Sequence, residues 1–447
     1  MKRLFLLPLL MVSLVFSQVQ VDAGGQYPSH YLKFGEDRVI DEVGNVYVVG
    51  RGHDANSNYH YLTSKYDKTG RKLWERRHYT PGDYYFSGRM GIAVDHQGNA
   101  YITGGTSLRQ GVPEPNGVVR YVTIKYDAAG DQQWVALYDD PTKVLWGPAD
   151  IAVDSKGSVY VLGGAFEYSD VEPTFDHNTQ ADRDDEFLDI PDSDFLIIKY
   201  DTGGKQLWAV CYGGPENDED SPYEIAVDNA DNIYVVGYTE AKDGRIKLVR
   251  VKYDTNGRQL LVSLYAGEKD RRNAPSTLAV DGMGNVYVTG GGTDLDSYTD
   301  IVTVKYDTKG KQKWEARYRQ PGRKKSVSAN AIALDYAGNV LVTGYIYLLP
   351  WEKCLAGEDA WKKADFVTLK YDSNGKEQWV AHYEAPEGDT VWTYDLMVDA
   401  EDSIYVIGYI DSDSLIIKYD PNGKEKSIIR LKTMSELAKF LSALSRQ

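Results

Sequence analysis

Four carboxylates recur at one position of this 447-residue chain. Asp37, Asp150, Glu224 and Asp395 each stand four residues ahead of an aspartate that opens a short turn, at Asp41, Asp154, Asp228 and Asp399. Brought together, they could hold a hard cation or act as an acid/base pair. Asp150, Glu224 and Asp395 are the metal candidates, and calcium is the cofactor they would suit. The plainer account is that they cap loops and pair with neighbouring arginine and lysine. That account is preferred, because charged loop residues are ordinarily solvated or paired. A second group is aromatic: Tyr85, Trp146, Trp351, Trp392 and Tyr394 all fall in or beside long connections. Flat apolar faces with a polar handle suit sugar rings and protein surfaces alike. Packing that anchors the loops is the competing account.

Other candidates are weaker. The segment 167–194 is strongly acidic, but its spacing lacks the glycine and terminal glutamate of an EF-hand loop. A charged solvated loop is the default reading. His53, Asp54 and His60 share one stretch without the spacing of a zinc site. The insertion 345–365 carries Tyr347, Trp351 and Trp361, which suits a contact surface or a lid. No Gly-x-Ser-x-Gly elbow, His-Glu-x-x-His or phosphate-binding glycine loop occurs.

The elements that must position these residues are repeats. Lys-Tyr-Asp-x-x-Gly begins at Lys65, Lys125, Lys199, Lys252, Lys305, Lys370 and Lys418. Each copy is preceded by a second turn motif, beginning at Asp41, Asp95, Asp154, Asp228, Asp281, Asp335 and Asp399. Both motifs place Asp first and Gly or Asp fourth, as tight turns prefer. The segments around them are rich in β-branched and aromatic residues. The second copy reads as strands at 92–94, 99–103, 121–126 and 133–138, with tight and loose connections alternating. A four-stranded meander cannot bury both faces alone, so the copies must stack. Radial stacking into a β-propeller protects the strand edges, whereas a solenoid is the less suitable rival.

The best copy runs from Ala331 to Tyr383, with Asp-Phe-Val-Thr-Leu-Lys-Tyr-Asp-x-x-Gly-Lys-x-x-Trp at its centre. It resembles the bacterial SBBP-type β-propeller repeat, and its first two strands are similar to the NHL repeat. The resemblance spans Asp37 to Leu431. It implies a seven-bladed, all-β propeller on a secreted or surface protein, without a catalytic motif to carry over. Trp74, Trp134, Trp208, Trp314 and Trp379 occupy one position of the fourth strand, where Leu261 and Ser427 depart from the pattern. They are expected to pack between blades.

Residues present in every copy belong to the scaffold; function should lie where the copies differ. They differ in the connection after strand two and in the one leading into the next strand one, which a propeller places on the same face. The carboxylates are expected at the mouth of the central channel there. The last blade's fourth strand is either 425–431 or, from the other end of the chain, 31–34. Lys2-Arg3, the apolar run 4–16 and Ser17 form a secretory signal peptide, so 1–17 is read as leader and 18–35 as an N-terminal segment. The propeller then occupies 36–431. In 432–447, Thr433-Met434-Ser435-Glu436 is a capping box ahead of an amphipathic helix. Cys211 and Cys354 lie in distant copies, so no disulfide is expected. The net charge of −16 argues against nucleic acid and anionic membranes as partners. The reading is of an exported monomer that binds a glycan or protein partner, with no transmembrane segment and no catalysis. The alternatives are a polysaccharide or peptide lyase or hydrolase with a metal at the channel mouth, and a purely structural envelope module.

Overall fold

Among its described residues the computed structural model has twenty-eight strands and one helix. It describes residues 37–444, apart from 54–58, 80–82, 109–118, 168–192, 215–218, 242, 268–269, 271, 294–297, 322–325, 348–363, 387–390, 400 and 411–412. Residues 1–17, read as a leader, and 31–34, the alternative closing strand, lie outside the described residues. The first repeat holds β1 (Asp37–Ile40), β2 (Val46–His53), β3 (Tyr59–Tyr66) and β4 (Lys72–His78), and the second β5 (Asp83–Val94), β6 (Ala100–Leu108), β7 (Val119–Tyr126) and β8 (Gln132–Tyr138). The third holds β9 (Lys143–Val153), β10 (Val159–Glu167), β11 (Ser193–Tyr200) and β12 (Gln206–Tyr212), and the fourth β13 (Asp220–Val227), β14 (Ile233–Glu240), β15 (Ile246–Tyr253) and β16 (Gln259–Tyr265). The fifth has β17 (Arg272–Val280), β18 (Val286–Thr293), β19 (Thr299–Tyr306) and β20 (Gln312–Tyr318), and the sixth β21 (Ser326–Leu334), β22 (Val340–Tyr347), β23 (Ala364–Tyr371) and β24 (Glu377–Tyr383). The last holds β25 (Val391–Val398), β26 (Ile404–Ile410), β27 (Asp413–Tyr419) and β28 (Glu425–Leu431), followed by α1 (Met434–Leu444).

Hydrogen bonding divides the strands among six sheets rather than seven separate ones. Five have four strands, and one has eight. The eight-stranded sheet is two antiparallel meanders, β13–β16 and β17–β20, joined by a single parallel pair, Ile246↔Arg272. The fourth strand of the last repeat is β28, paired antiparallel with β27. No helix among the described residues is long and apolar enough to cross a membrane.

The repeated residues build the scaffold, as their recurrence implies. In the first turn, Gly44 N–H donates to Asp41 O at 2.9 Å, and Asp41 Oδ1 accepts the N–H of Val43 and of Asn45. The fourth turn position has positive φ, 86° at Gly44. Asp231 and Asp402 take it at 61° and 57°, a strain that aspartate tolerates better than most residues. Asp231 uses its side chain to tie the third repeat, accepting from Ser155 N and Oγ. The Lys of Lys-Tyr-Asp reaches the next repeat in the first, second, third and fifth copies. Lys65 Nζ and Trp74 Nε1 both donate to Ala128 O, at 3.1 and 3.2 Å. Lys199 and Trp208 do the same to Thr255 O, at 2.9 and 3.2 Å. The indole lies beneath the next turn glycine, where a Cβ on Gly130 would come within 2.7 Å of Trp74.

Apolar clusters join each repeat to the next, from the first pair through to the sixth and seventh. A further cluster packs β25–β27 on β1–β3 and takes in Leu437, Ala438, Leu441 and Leu444 of α1. The last repeat therefore packs against the first, and the helix sits over that junction. Thr433 Oγ1 accepts Glu436 N–H, and Glu436 Oε2 accepts Thr433 N–H, completing the capping box.

Candidate functional site

The four carboxylates lie on the first strands β1, β9, β13 and β25, and first strands of successive repeats touch one another as an inner ring. Such a strand is a sheet edge, so alternate N–H groups point away from the ladder and need acceptors. The carboxylates supply them across repeats. Asp37 Oδ2 accepts Ile92 N–H at 2.9 Å, Asp150 Oδ2 accepts Ile225 N–H at 2.9 Å, and Glu224 Oε2 accepts Leu278 N–H at 2.7 Å. The other oxygens of Asp37 and Asp150 accept the N–H of Arg38 and Ile151, and Asp395 Oδ1 accepts that of Leu396. A β-bulge just before Asp150, Glu224 and Asp395 sets this geometry.

These side chains are thus inside the ring wall rather than at a solvent-filled mouth. Asp37, Glu224 and Asp395 are buried, and Asp150 is partly exposed. Burial pushes the Asp37 carboxyl up to about 8, with the Asp150 charge adding to it. Burial likewise raises Asp150 to about 7 and Asp395 to about 7. Glu224 is raised well above its ordinary value by burial and then by Asp150. The four therefore share one electrostatic neighbourhood, with Arg38 opposing Asp37 and Asp395, and Arg89 opposing Asp150 and Glu224. With both oxygens of Asp37 and Asp150 engaged by backbone, neither is presented as an open ligand or proton donor. Among the described residues no three His, Cys, Asp or Glu side chains gather as a metal centre.

The aromatic candidates separate. Trp146 stands near the start of β9, 47% exposed, with its ring edge-on to Phe166 at 6.2 Å. Tyr394 is buried at 3%, because Arg38 lies 3.8 Å above its ring and donates to its hydroxyl at 2.9 Å. It closes the ring between the last and first repeats and offers no exposed face. Tyr85 and Trp392 fall on β5 and β25, but their side chains lie outside the described residues, as does Trp351 entirely. The acidic segment 168–192 and Asp54 are outside them too. His60 is buried, 5.0 Å from the Tyr79 ring.

One feature had no clear sequence signal. The Arg89 guanidinium lies 5.2 Å from the centre of the Tyr223 ring, which belongs to the repeat after next. Tyr223 in turn packs on Tyr238, 6.0 Å away. Trp146 Cβ and Pro222 Cδ flank Gly164, at 3.6 and 3.9 Å from where its Cβ would be. Arg89 of β5 thus meets Tyr223 of β13, and Trp146 of β9 adjoins Pro222, the residue before Tyr223. Nothing in the spacing of the sequence joins Arg89 to a partner two repeats away.

Comparison with known proteins agrees with the architecture. The SBBP family, described as a beta-propeller repeat, matches residues 212–245, from the end of β12 through β14. The periplasmic gluconolactonase PpgL of Pseudomonas aeruginosa is similar in structure, with a TM-score of 0.51 and 12% identity over 86% of this chain and 95% of that one. A protein of Lactobacillus plantarum is similar at a TM-score of 0.49 and 14% identity, over 87% and 96% of the two chains. No curated protein is similar enough in sequence to count as a relative. At such identities the likeness is one of fold. Its repeated turns, its four-stranded meanders and the SBBP match together make this chain a β-propeller repeat protein.

Proposed function

We propose that the chain is an exported seven-bladed propeller that binds a glycan or protein partner on the face carrying its long connections. The blade count is supported by seven copies of both turn motifs and by reading the eight-stranded sheet as two blades bridged at Ile246↔Arg272. Export is supported by the sequence of residues 1–17. The observation that carries the binding reading is Trp146. A large indole kept 47% exposed contributes less to folding than a buried one and suits recognition. Arg89 rests on Tyr223, whose neighbour Pro222 adjoins Trp146. The acid/base alternative has less support, because the oxygens of Asp150 are committed to Ile151 and Ile225 N–H.

The test is a glycan array and an envelope-extract pull-down run in parallel. A specific ligand is expected whose retention falls for Trp146→Ala and Trp392→Ala while the melting temperature stays near wild type. Substitutions in the tight turns that spare their Asp and Gly should leave retention intact. Equal loss from both faces would place the site elsewhere.

A further inference from the structure

We propose that the ligand of this face carries a carboxylate, and that Arg89 is the residue that recognises it. This rests on the binding reading above and adds the chemical class.

Arg89 is an anomaly of the repeat. Counting back six residues from the turn aspartate reaches Arg89 in the second repeat, but Pro148, Pro222, Pro275, Ala329 and Thr393 in the third to seventh. The backbone is anomalous at the same place. In β13 the pairing with β14 passes from Pro222↔Gly237 to Glu224↔Val236, a bulge of one extra residue. In β5 it passes from Ser87↔Gly105 to Gly91↔Thr103, which leaves residues 88–90 outside the register and adds one residue more. Enlarged bulges re-aim side chains. This one sends Arg89 past β9 to the Tyr223 ring on β13.

The guanidinium is held there but not consumed. Its contact with Tyr223 is through the ring face, and its N–H groups make no hydrogen bond or ion pair with any described residue. The carboxylates that feel its charge, Asp150 and Glu224, accept backbone N–H groups of β9, β13 and β17, Asp150 through both oxygens and Glu224 through Oε2. A guanidinium resting on an aromatic ring keeps its N–H groups for another partner, and such a fork takes a carboxylate through two parallel N–H···O bonds. Trp146, 47% exposed, adjoins Pro222 beside Tyr223 and supplies an apolar face next to that residue. A ring bearing a carboxylate would use both, and a uronic-acid sugar is the simplest such ligand. The net charge of −16 disfavours unspecific binding of an anion, which makes the probe discriminating.

The experiment is calorimetric titration at fixed ionic strength with a galacturonic acid trisaccharide and with its fully methyl-esterified form, which keeps the rings and removes the charge. Wild type is expected to bind the acid about tenfold more tightly than the ester. Arg89→Gln should bring the acid down to the level of the ester, with Arg89→Lys between. Thermal melting of each variant checks that the fold is intact. Equal binding of acid and ester, or a preference that survives Arg89→Gln, would overturn the assignment. In that case loss of both ligands on Trp146→Ala would leave the aromatic site standing. Binding of neither trisaccharide would also overturn the assignment, leaving the broader reading to the array.

Discussion

The tryptophans of the fourth strands show how a single side chain can join two repeats. Trp74 buries its ring to 7% exposure, donates to Ala128 O, and fills the space under Gly130. Trp74→Ala should therefore cost about 3–5 kcal/mol, read by urea unfolding. A loss under 1 kcal/mol would show that the indole is not what holds the first two repeats together. Gly130 has φ +88°, and any Cβ there would meet Trp74, so Gly130→Ala should also destabilise. The copies that depart from the pattern are compensated in place. Leu261 replaces an indole, and Arg250, fully buried, extends over the Tyr306 ring at 4.9 Å toward the vacated volume. Leu341 stands where the other repeats have a tyrosine, and Lys370 then pairs with Asp335 at 2.9 Å.

At the scale of elements, α1 takes the place of a missing indole. Ser427 pairs with Lys418 in the same register as Trp74 with Lys65, so the closing junction has no tryptophan. Under Gly70, where an indole would sit, lie the backbone of Ser435 and the side chain of Lys439, and Ser435 Oγ donates to Gly70 O. Leu437, Leu441 and Leu444 bury their side chains across the last and first repeats, each contributing roughly 1.5–3 kcal/mol. Removing 433–447 should lower the melting temperature and expose the first and last repeats to protease before the others. Ser427→Trp should then act with opposite signs, stabilising the shortened chain and destabilising the intact one, where α1 already fills the space. The same sign in both backgrounds would refute the substitution of helix for indole.

For the whole molecule, the inner carboxylates predict an unusual dependence on pH. Asp37, Asp150 and Asp395 are raised to about 8, 7 and 7 by burial, against an unfolded value near 4. A carboxyl that binds its proton more tightly when folded stabilises the protein fully below the unfolded value. That contribution is lost as the pH rises through 7 to 8. Turn aspartates such as Asp335, held below the ordinary range by Asn339 and Lys370 despite burial, act in the opposite sense and lose their contribution in acid. The melting temperature should accordingly peak in mild acid and fall between pH 6 and pH 9. Asp37→Asn, which keeps an acceptor and removes the charge, should flatten that fall. A wild-type curve rising from pH 6 to pH 9 would contradict the ring arrangement.

The sequence by itself determined the scaffold, because each turn is specified within four residues and each strand by its local composition. The turns at Asp41 and Lys65 could be read without knowing anything about their neighbours, and so could the capping box at Thr433. It also marked Trp146 and the four carboxylates as positions worth inspecting. Only the tertiary structure decided what they do, since the partners are set by stacking and not by spacing. Asp37 accepts from Ile92 and Asp150 from Ile225, residues 55 and 75 positions away, and those bonds turn apparent site residues into staples of the ring. Tyr394 looked like a surface aromatic until Arg38, at the other end of the chain, was placed over it. Arg89 became distinctive only when an enlarged bulge carried it across one repeat to Tyr223 in another. Local chemistry fixes turns and strands because their energies are local; a site assembled from the edges of several sheets exists only once those sheets have packed.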